Sequence, residues 1–227
     1  MRQNKQAGMT LIELTVVLLV LVALAGLAIP YVSGTSRKAL CDATDVSMAN
    51  IKRVIMERYY LDTLGYAPKD SKDLDDYTDY SLDYLFTKPG EWSVFDPDSQ
   101  VGWRGPYLQG GLVLDASDIS SLQSNFKSTT YVNKALATSQ KVVLDGWGRP
   151  FILQVPAVAD CKTLLGLSDN PEKGYCARLV SAGFGSGIGM GNADLETKIT
   201  EHRKGGDRIL YLNAPTPAVD INPSCAD

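Results

Sequence analysis

Apolar and polar positions are distributed very unevenly along the chain. After Arg2 and Lys5, no formal charge other than Glu13 appears from Met9 to Ser36. The 23 uncharged residues from Leu14 to Ser36 would cover about 34 Å as a helix, enough to cross a bilayer core of about 30 Å with a modest tilt. Beyond Arg37 and Lys38, the positions Leu40, Thr44, Met48, Ile51, Ile55 and Tyr59 step by three or four and share one helical face. This stripe predicts a helix continuing to about Leu61 and packed on a core, and implies no cofactor. Three short runs follow, Phe151 to Val155, Ala177 to Ser181 and Arg208 to Leu212. Their β-branched, aromatic and aliphatic content between Gly, Pro and Asp predicts strands. Connections poor in helix signal favour antiparallel pairing over parallel crossovers. The expected class is α+β: one long N-terminal helix, its first half transmembrane, packed on a small antiparallel sheet.

Composition changes this picture little, but it excludes some functions. A chain of 227 residues, 44% hydrophobic, has room for one sizeable domain or for a domain plus an accessory segment, and length alone does not choose. Its net charge of -4 and pI near 5.1 lack the basic excess expected of a protein that coats phosphates, so no nucleic-acid partner is expected. The mean hydropathy of -0.08 averages a greasy amino terminus with a polar remainder. Arg2 and Lys5 favour a cytoplasmic start, although Arg37 and Lys38 nearly balance them.

Three readings compete for the amino terminus. A secretory peptidase would cut at Ala23-Leu24-Ala25, before Gly26. A plain signal anchor would not be cut. The third reading puts the cut ahead of the apolar run, and the residues favour it: Gly8-Met9-Thr10-Leu11-Ile12-Glu13-Leu14 resembles the type IV prepilin signature of a short basic leader ending in Gly, a hydrophobic first residue and Glu at the fifth mature position. Pro30 matches the proline that many such stems carry. The resemblance implies that a prepilin peptidase cleaves after Gly8 and methylates the amine of Met9. It also implies a leader at 1–8, a membrane and assembly helix at 9–36, an outer stem at 37–62 and a periplasmic globular domain at 63–227. Sister pilin or pseudopilin subunits and the inner membrane would be its partners.

Glu13 has a physical rationale beside the resemblance. A carboxylate in the apolar part of a membrane helix costs roughly 2.5–3.5 kcal/mol, so a cationic partner is expected. The family places the terminal amine of a neighbouring subunit there, which would fix the register of stacked helices. The plainer reading has Glu13 reaching into headgroups. Pro30, lacking an amide donor, is expected to kink or locally unwind the stem, or to be a tolerated membrane proline.

A second resemblance narrows the family. Trp103-Arg104-Gly105-Pro106-Tyr107-Leu108 and Asp145-Gly146-Trp147-Gly148-Arg149-Pro150-Phe151 are similar to two motifs of the major pseudopilin of type II secretion. The 36 residues between them exceed the family spacing, and Gly146 replaces the usual Pro, as in a divergent subunit. Structural roles suffice for these residues: Gly146 and Gly148 permit a tight turn, Trp147 anchors it, and Pro150 sets the strand entrance. A minor type IV pilin of adhesion or DNA uptake, or a signal-anchored periplasmic binding domain, remains the alternative.

The resemblance also raises calcium, which the family tends to hold in an acidic loop before the last strand. Here Phe184 stands where Asp is expected, so Asp194, Glu196 and Asp207 are the remaining candidate ligands for an ion that needs six to eight oxygens. The acidic stretch from Asp70 to Asp83 lacks the EF-hand pattern and reads as a solvated face. A helix around Ile119 to Phe126 is weakly signalled. The glycines at 183, 185, 187, 189 and 191 fit neither a dinucleotide fingerprint nor a P-loop.

Four cysteines permit three complete pairings in an oxidising compartment. Cys161 and Cys176 flank one strand connection and form the more plausible pair, leaving Cys225 to tie the tail to Cys41. The single histidine, His202, lies in the polar run Glu201-His202-Arg203-Lys204, and no nucleophile elbow surrounds a Ser or Cys. The sequence therefore presents no catalytic constellation.

Overall fold

The computed structural model describes residues 11–65, 67–68, 80–118, 120, 139–183 and 206–225, without the side chains of 25–35. The acidic positions from Asp70 to Asp79 and most of the helix expected near Ile119 to Phe126 lie outside the described residues. Helix α1 (Leu11–Val54) runs for 44 residues. It continues through one π-helical turn, Ile55–Tyr59, into a last α-helical turn, Tyr60–Asp62. In the π turn the Tyr60 amide donates to the Ile55 carbonyl, one residue further back than in an α-helix. The chain then leaves the helix through left-handed backbone at Leu64 and Gly65, with φ of 59° and 88°. There the Gly65 amide donates to the Tyr60 carbonyl at 2.8 Å, satisfying an otherwise orphaned acceptor.

The helical stripe is the buried one. Thr44, Met48, Ile51, Ile55 and Tyr59 are all within 2% of complete burial, and they meet a three-stranded sheet. Strands β3 (Ile152–Gln154), β4 (Arg178–Ser181) and β5 (Arg208–Tyr211) form that sheet in the order β3-β4-β5, all antiparallel. Its register pairs Leu153 with Leu179 and Leu179 with Leu210. Leu153 and Leu179 join the cluster around Met48, Ile55 and Tyr59, with Leu210 packed against it. Ile152, Val180 and Ile209, one residue off, point into a second cluster with Cys161 and Cys176. Because both faces are covered, these strands read as continuous apolar runs rather than alternating ones.

Two elements lie beyond what the sequence signals. Helix α2 (Val158–Leu165) occupies the β3–β4 connection, where no helix is expected from the pattern. Its N-cap, Ala157, makes no side-chain cap bond, and only the left-handed Gly166, φ 62°, marks its end. Strands β1 (Leu112–Val113) and β2 (Lys141–Val142) form a separate antiparallel ribbon. At two residues each, they are too short to show alternation. The architecture is α+β, an N-terminal helix packed with small antiparallel sheets, consistent with a pilin-like fold.

The face of the sheet away from α1 holds a buried charge. Arg178 is fully buried, donating from Nε to Gln154 Oε1 at 2.9 Å and from Nη1 to the Tyr211 hydroxyl at 3.1 Å. That hydroxyl donates in turn to Asp220 Oδ2 at 2.8 Å, and the Arg178–Asp220 ion pair closes at 3.6 Å. Asp220 ends the 3₁₀ turn Ala218–Asp220, so the network fastens the C-terminal tail to the sheet.

Three phenols respond to the same burial. Tyr60, Tyr107 and Tyr211 are each pushed up to about 12, first by desolvation, with Tyr107 and Tyr211 further raised by the Asp62 and Asp220 carboxylates they face. The folded chain therefore keeps protons that the unfolded chain loses above its ordinary value of 10.0. Their contribution to stability is complete below about pH 10 and is lost as pH rises towards about 12. Titration followed by phenolate absorbance and circular dichroism should show tyrosine ionisation coinciding with loss of structure.

Candidate functional site

The described side chains of the first half of α1 make an unusual surface. Leu11, Ile12, Leu19 and Val22 are 82%, 70%, 72% and 71% exposed, and every described side chain from Leu11 to Leu24 is exposed. A surface of this size, apolar and uncovered, marks an interaction site rather than an ordinary solvated helix. Glu13 lies close to the start of the described part of α1. Next to it, the Thr15 hydroxyl donates to the Ile12 carbonyl at 2.9 Å, so the side chain adds no unsatisfied donor to the apolar surface. Gly8 and Met9 lie outside the described residues. The helix continues through Pro30, whose side chain is among those not described. Among the described residues, no helix is long and apolar enough to cross a membrane; the 14 residues from Leu11 to Leu24 extend for about 21 Å.

The second half of the stem is fastened to the globular part from one end to the other. The Cys41–Cys225 disulfide bridges 184 positions of sequence. One turn on, Thr44 donates to the Leu40 carbonyl and accepts from the Gly146 amide, both at 2.9 Å. Asp45 receives a bidentate bond from the Arg208 guanidinium. Lys52 donates to the Tyr211 carbonyl at 2.7 Å. At the far end, buried Asp62 accepts from Arg104 and from the Tyr107 hydroxyl, the latter at 3.0 Å, and its carbonyl accepts the Gly102 amide at 2.8 Å. A carboxylate at a helix C-terminus opposes the dipole, and the guanidinium offsets that. Any force on the exposed half of α1 is therefore transmitted to the globular part through the stem.

Both sequence motifs lie at these joints. In the first, Tyr107 packs edge-on against Tyr59 at 5.3 Å and Trp103 at 5.8 Å. The Trp103 indole donates to the Tyr84 carbonyl at 3.0 Å, the Arg104 guanidinium covers the Phe95 ring at 3.9 Å, and the Gly105–Pro106 peptide is cis. In the second, the Asp145 carboxylate accepts from the Trp147 and Arg149 amides at 2.9 and 2.8 Å and from the Ser181 hydroxyl at 2.6 Å. Burial raises the Asp145 carboxyl, and these donors oppose the shift. Trp147 is half-buried.

Gly146 shows why this turn has no side chain at its tip. A Cβ there would lie 2.1 Å from the Leu40 carbonyl oxygen, on rigid helix backbone. The glycine in place of the usual proline also supplies the amide that Thr44 accepts. Gly146→Ala is expected to cost about 1–3 kcal/mol through overpacking, read as a lower denaturation midpoint for the full chain. Thr44, Asp45, Asp62 and Arg208 were invisible as joints in the sequence, since their partners are remote along the chain. Only the placement of Thr44 within an apolar stripe hinted at a role.

The other candidates fall as follows. Cys161–Cys176 closes a 15-residue separation beneath α2 and β4. Asp207 is fully buried just before β5, whereas Asp194 and Glu196 lie outside the described residues, as do Phe184 and His202. Among the described residues no group of three His, Cys, Asp or Glu is placed to hold a metal.

Residues 3–29 match the family model of the prokaryotic N-terminal methylation motif. This match covers Gly8, Met9, Glu13 and the exposed apolar stretch from Leu11 to Leu24. It is a type IV pilin-like prepilin signal, implying processing by a prepilin peptidase and assembly with other pilin-like subunits. No curated protein and no solved structure matches the chain.

Proposed function

We propose that the chain is a structural subunit, a pseudopilin of a type II secretion pseudopilus, and not an enzyme. It is cleaved after Gly8, methylated on Met9, held in the inner membrane by residues 9–36 with its globular part periplasmic, and polymerised through the exposed face of α1. The observation that carries this reading is the methylation motif lying on the stretch of α1 from Leu11 to Leu24, whose described apolar side chains are all exposed. Packing of the Leu and Val surfaces supplies the attraction between stems. Glu13 supplies direction, because a carboxylate buried among apolar helices gains most from a partner amine in one register.

Support for the secretion assignment comes from the two motifs. Both brace the stem against the globular part, a role suited to a subunit under axial load. In cells that carry both a type II apparatus and surface pili, deleting the gene is expected to stop export of folded cargo while leaving the pili intact. Loss of pili with normal export would select the minor-pilin reading instead.

A further inference from the structure

The far end of the stem borders a cavity. It measures about 430 Å³ and lies between the last turns of the stem and the first sequence motif, with Glu57, Arg58 and Leu61 on one side and Arg104, Pro106 and Tyr107 on the other. Its volume falls in the range of about 300–1,000 Å³ typical of ligand pockets. A second hollow of about 320 Å³, which adds Arg53, adjoins it through the shared walls Glu57 and Arg58. The two together form a trough along the stem rather than a closed pit. Both shared residues belong to the π turn Ile55–Tyr59, and single π turns are frequent at functional sites.

The charges of this trough are not all committed to the fold. Asp62 is buried and already accepts from Arg104 and from the Tyr107 hydroxyl, so it calls for no further cation. Arg104 is held in place by that ion pair, by the Phe95 ring 3.9 Å from its guanidinium, and by the Tyr107 hydroxyl, which accepts its backbone amide at 2.9 Å. Its side chain is nevertheless 57% exposed, leaving guanidinium donors for a ligand. Arg58 and Glu57 are exposed and make no hydrogen bond or ion pair among the described residues.

A guanidinium presents paired planar donors that match a carboxylate, and two of them line one cavity here. Glu57 would repel a bare anion, but it can accept from an N–H group. A peptide carries a carboxylate and backbone N–H groups side by side, whereas a phosphate ion has no N–H to offer. Leu61, 68% exposed, and Pro106 supply an apolar rim for a neighbouring side chain.

We propose that this trough binds an extended acidic segment of a partner protein, with its carboxylate between Arg58 and Arg104, a backbone N–H on Glu57 and an apolar side chain over Leu61 and Pro106. The site is a property of the folded chain and does not rest on the proposed secretion role.

The test is calorimetric titration of the full chain in detergent micelles with the end-capped peptide Leu-Asp-Leu, its Leu-Asn-Leu counterpart and inorganic phosphate. Saturable binding of the Asp peptide is expected, with affinity about tenfold or more lower for the Asn peptide, and lower by a similar factor for the Asp peptide on Arg58→Ala. Because Arg58 makes no bond to the described fold, the urea midpoint of that variant should equal the wild-type value. Absence of saturable binding at millimolar peptide overturns the proposal. So does equal affinity for the two peptides, or an Arg58→Ala chain that binds as the wild type does. Phosphate that displaces the Asp peptide at equal concentration would make the trough a general anion site and also overturn it. Dimers seen by analytical ultracentrifugation and abolished by Arg58→Ala would place a second copy in the trough, against the partner assigned here.

Discussion

Replacing Arg178 with alanine is expected to lower the stability of the folded chain by about 3–5 kcal/mol. The guanidinium is completely buried and serves Gln154, Tyr211 and Asp220 together. Its removal takes the guanidinium away from the buried Asp220 carboxylate, which keeps the Tyr211 hydroxyl, and the penalty is that of a buried charge that has lost its ion pair. A double Arg178→Met/Asp220→Leu chain, which removes both charges and fills the volume, should recover much of the loss, because a buried pair adds little net stability over apolar residues of similar size. Urea denaturation of the wild type and the two variants, followed by circular dichroism, gives the comparison. A single variant as stable as the wild type would show that the tail is not held by this network.

The second large effect concerns assembly rather than folding. Glu13→Ala should leave cleavage and methylation intact while reducing incorporation into filaments about tenfold or more. Removing the carboxylate makes membrane insertion easier by roughly 2.5–3.5 kcal/mol, so a simple burden on insertion would be relieved by this change. A fall in assembly can then arise only from a lost directional contact. Quantifying the variant in sheared filaments beside the wild type, with membrane levels as the control, separates the two. Normal incorporation removes Glu13 from the register and leaves apolar packing to act alone.

How much of this was legible in the sequence depended on the range of each interaction. The stem stripe from Thr44 to Tyr59 could be read because its period is local and its partner is any apolar surface. The three strands of the main sheet are readable to within one residue of their observed ends, since both faces are buried and their runs are uninterrupted. Helix α2 is silent in the sequence because its eight residues carry no N-cap signal, and the β1–β2 ribbon because two residues cannot show a period. The joints of the stem were hidden for a different reason. Asp45 finds Arg208, Asp62 finds Arg104, and Thr44 finds Gly146 only after folding brings together positions separated by 42 to 163 residues. The amino-terminal motif was the most legible feature of all, because its recognition by a peptidase is itself a reading of local sequence.

That motif also offers the most direct test. The full chain should be co-expressed with a prepilin peptidase and the mass of its membrane-bound product determined by intact-protein and peptide mass spectrometry. The account predicts a chain that begins at Met9, has lost residues 1–8, and carries one methyl group on its terminal amine. A chain that keeps its leader, or one that begins at Gly26, would contradict it.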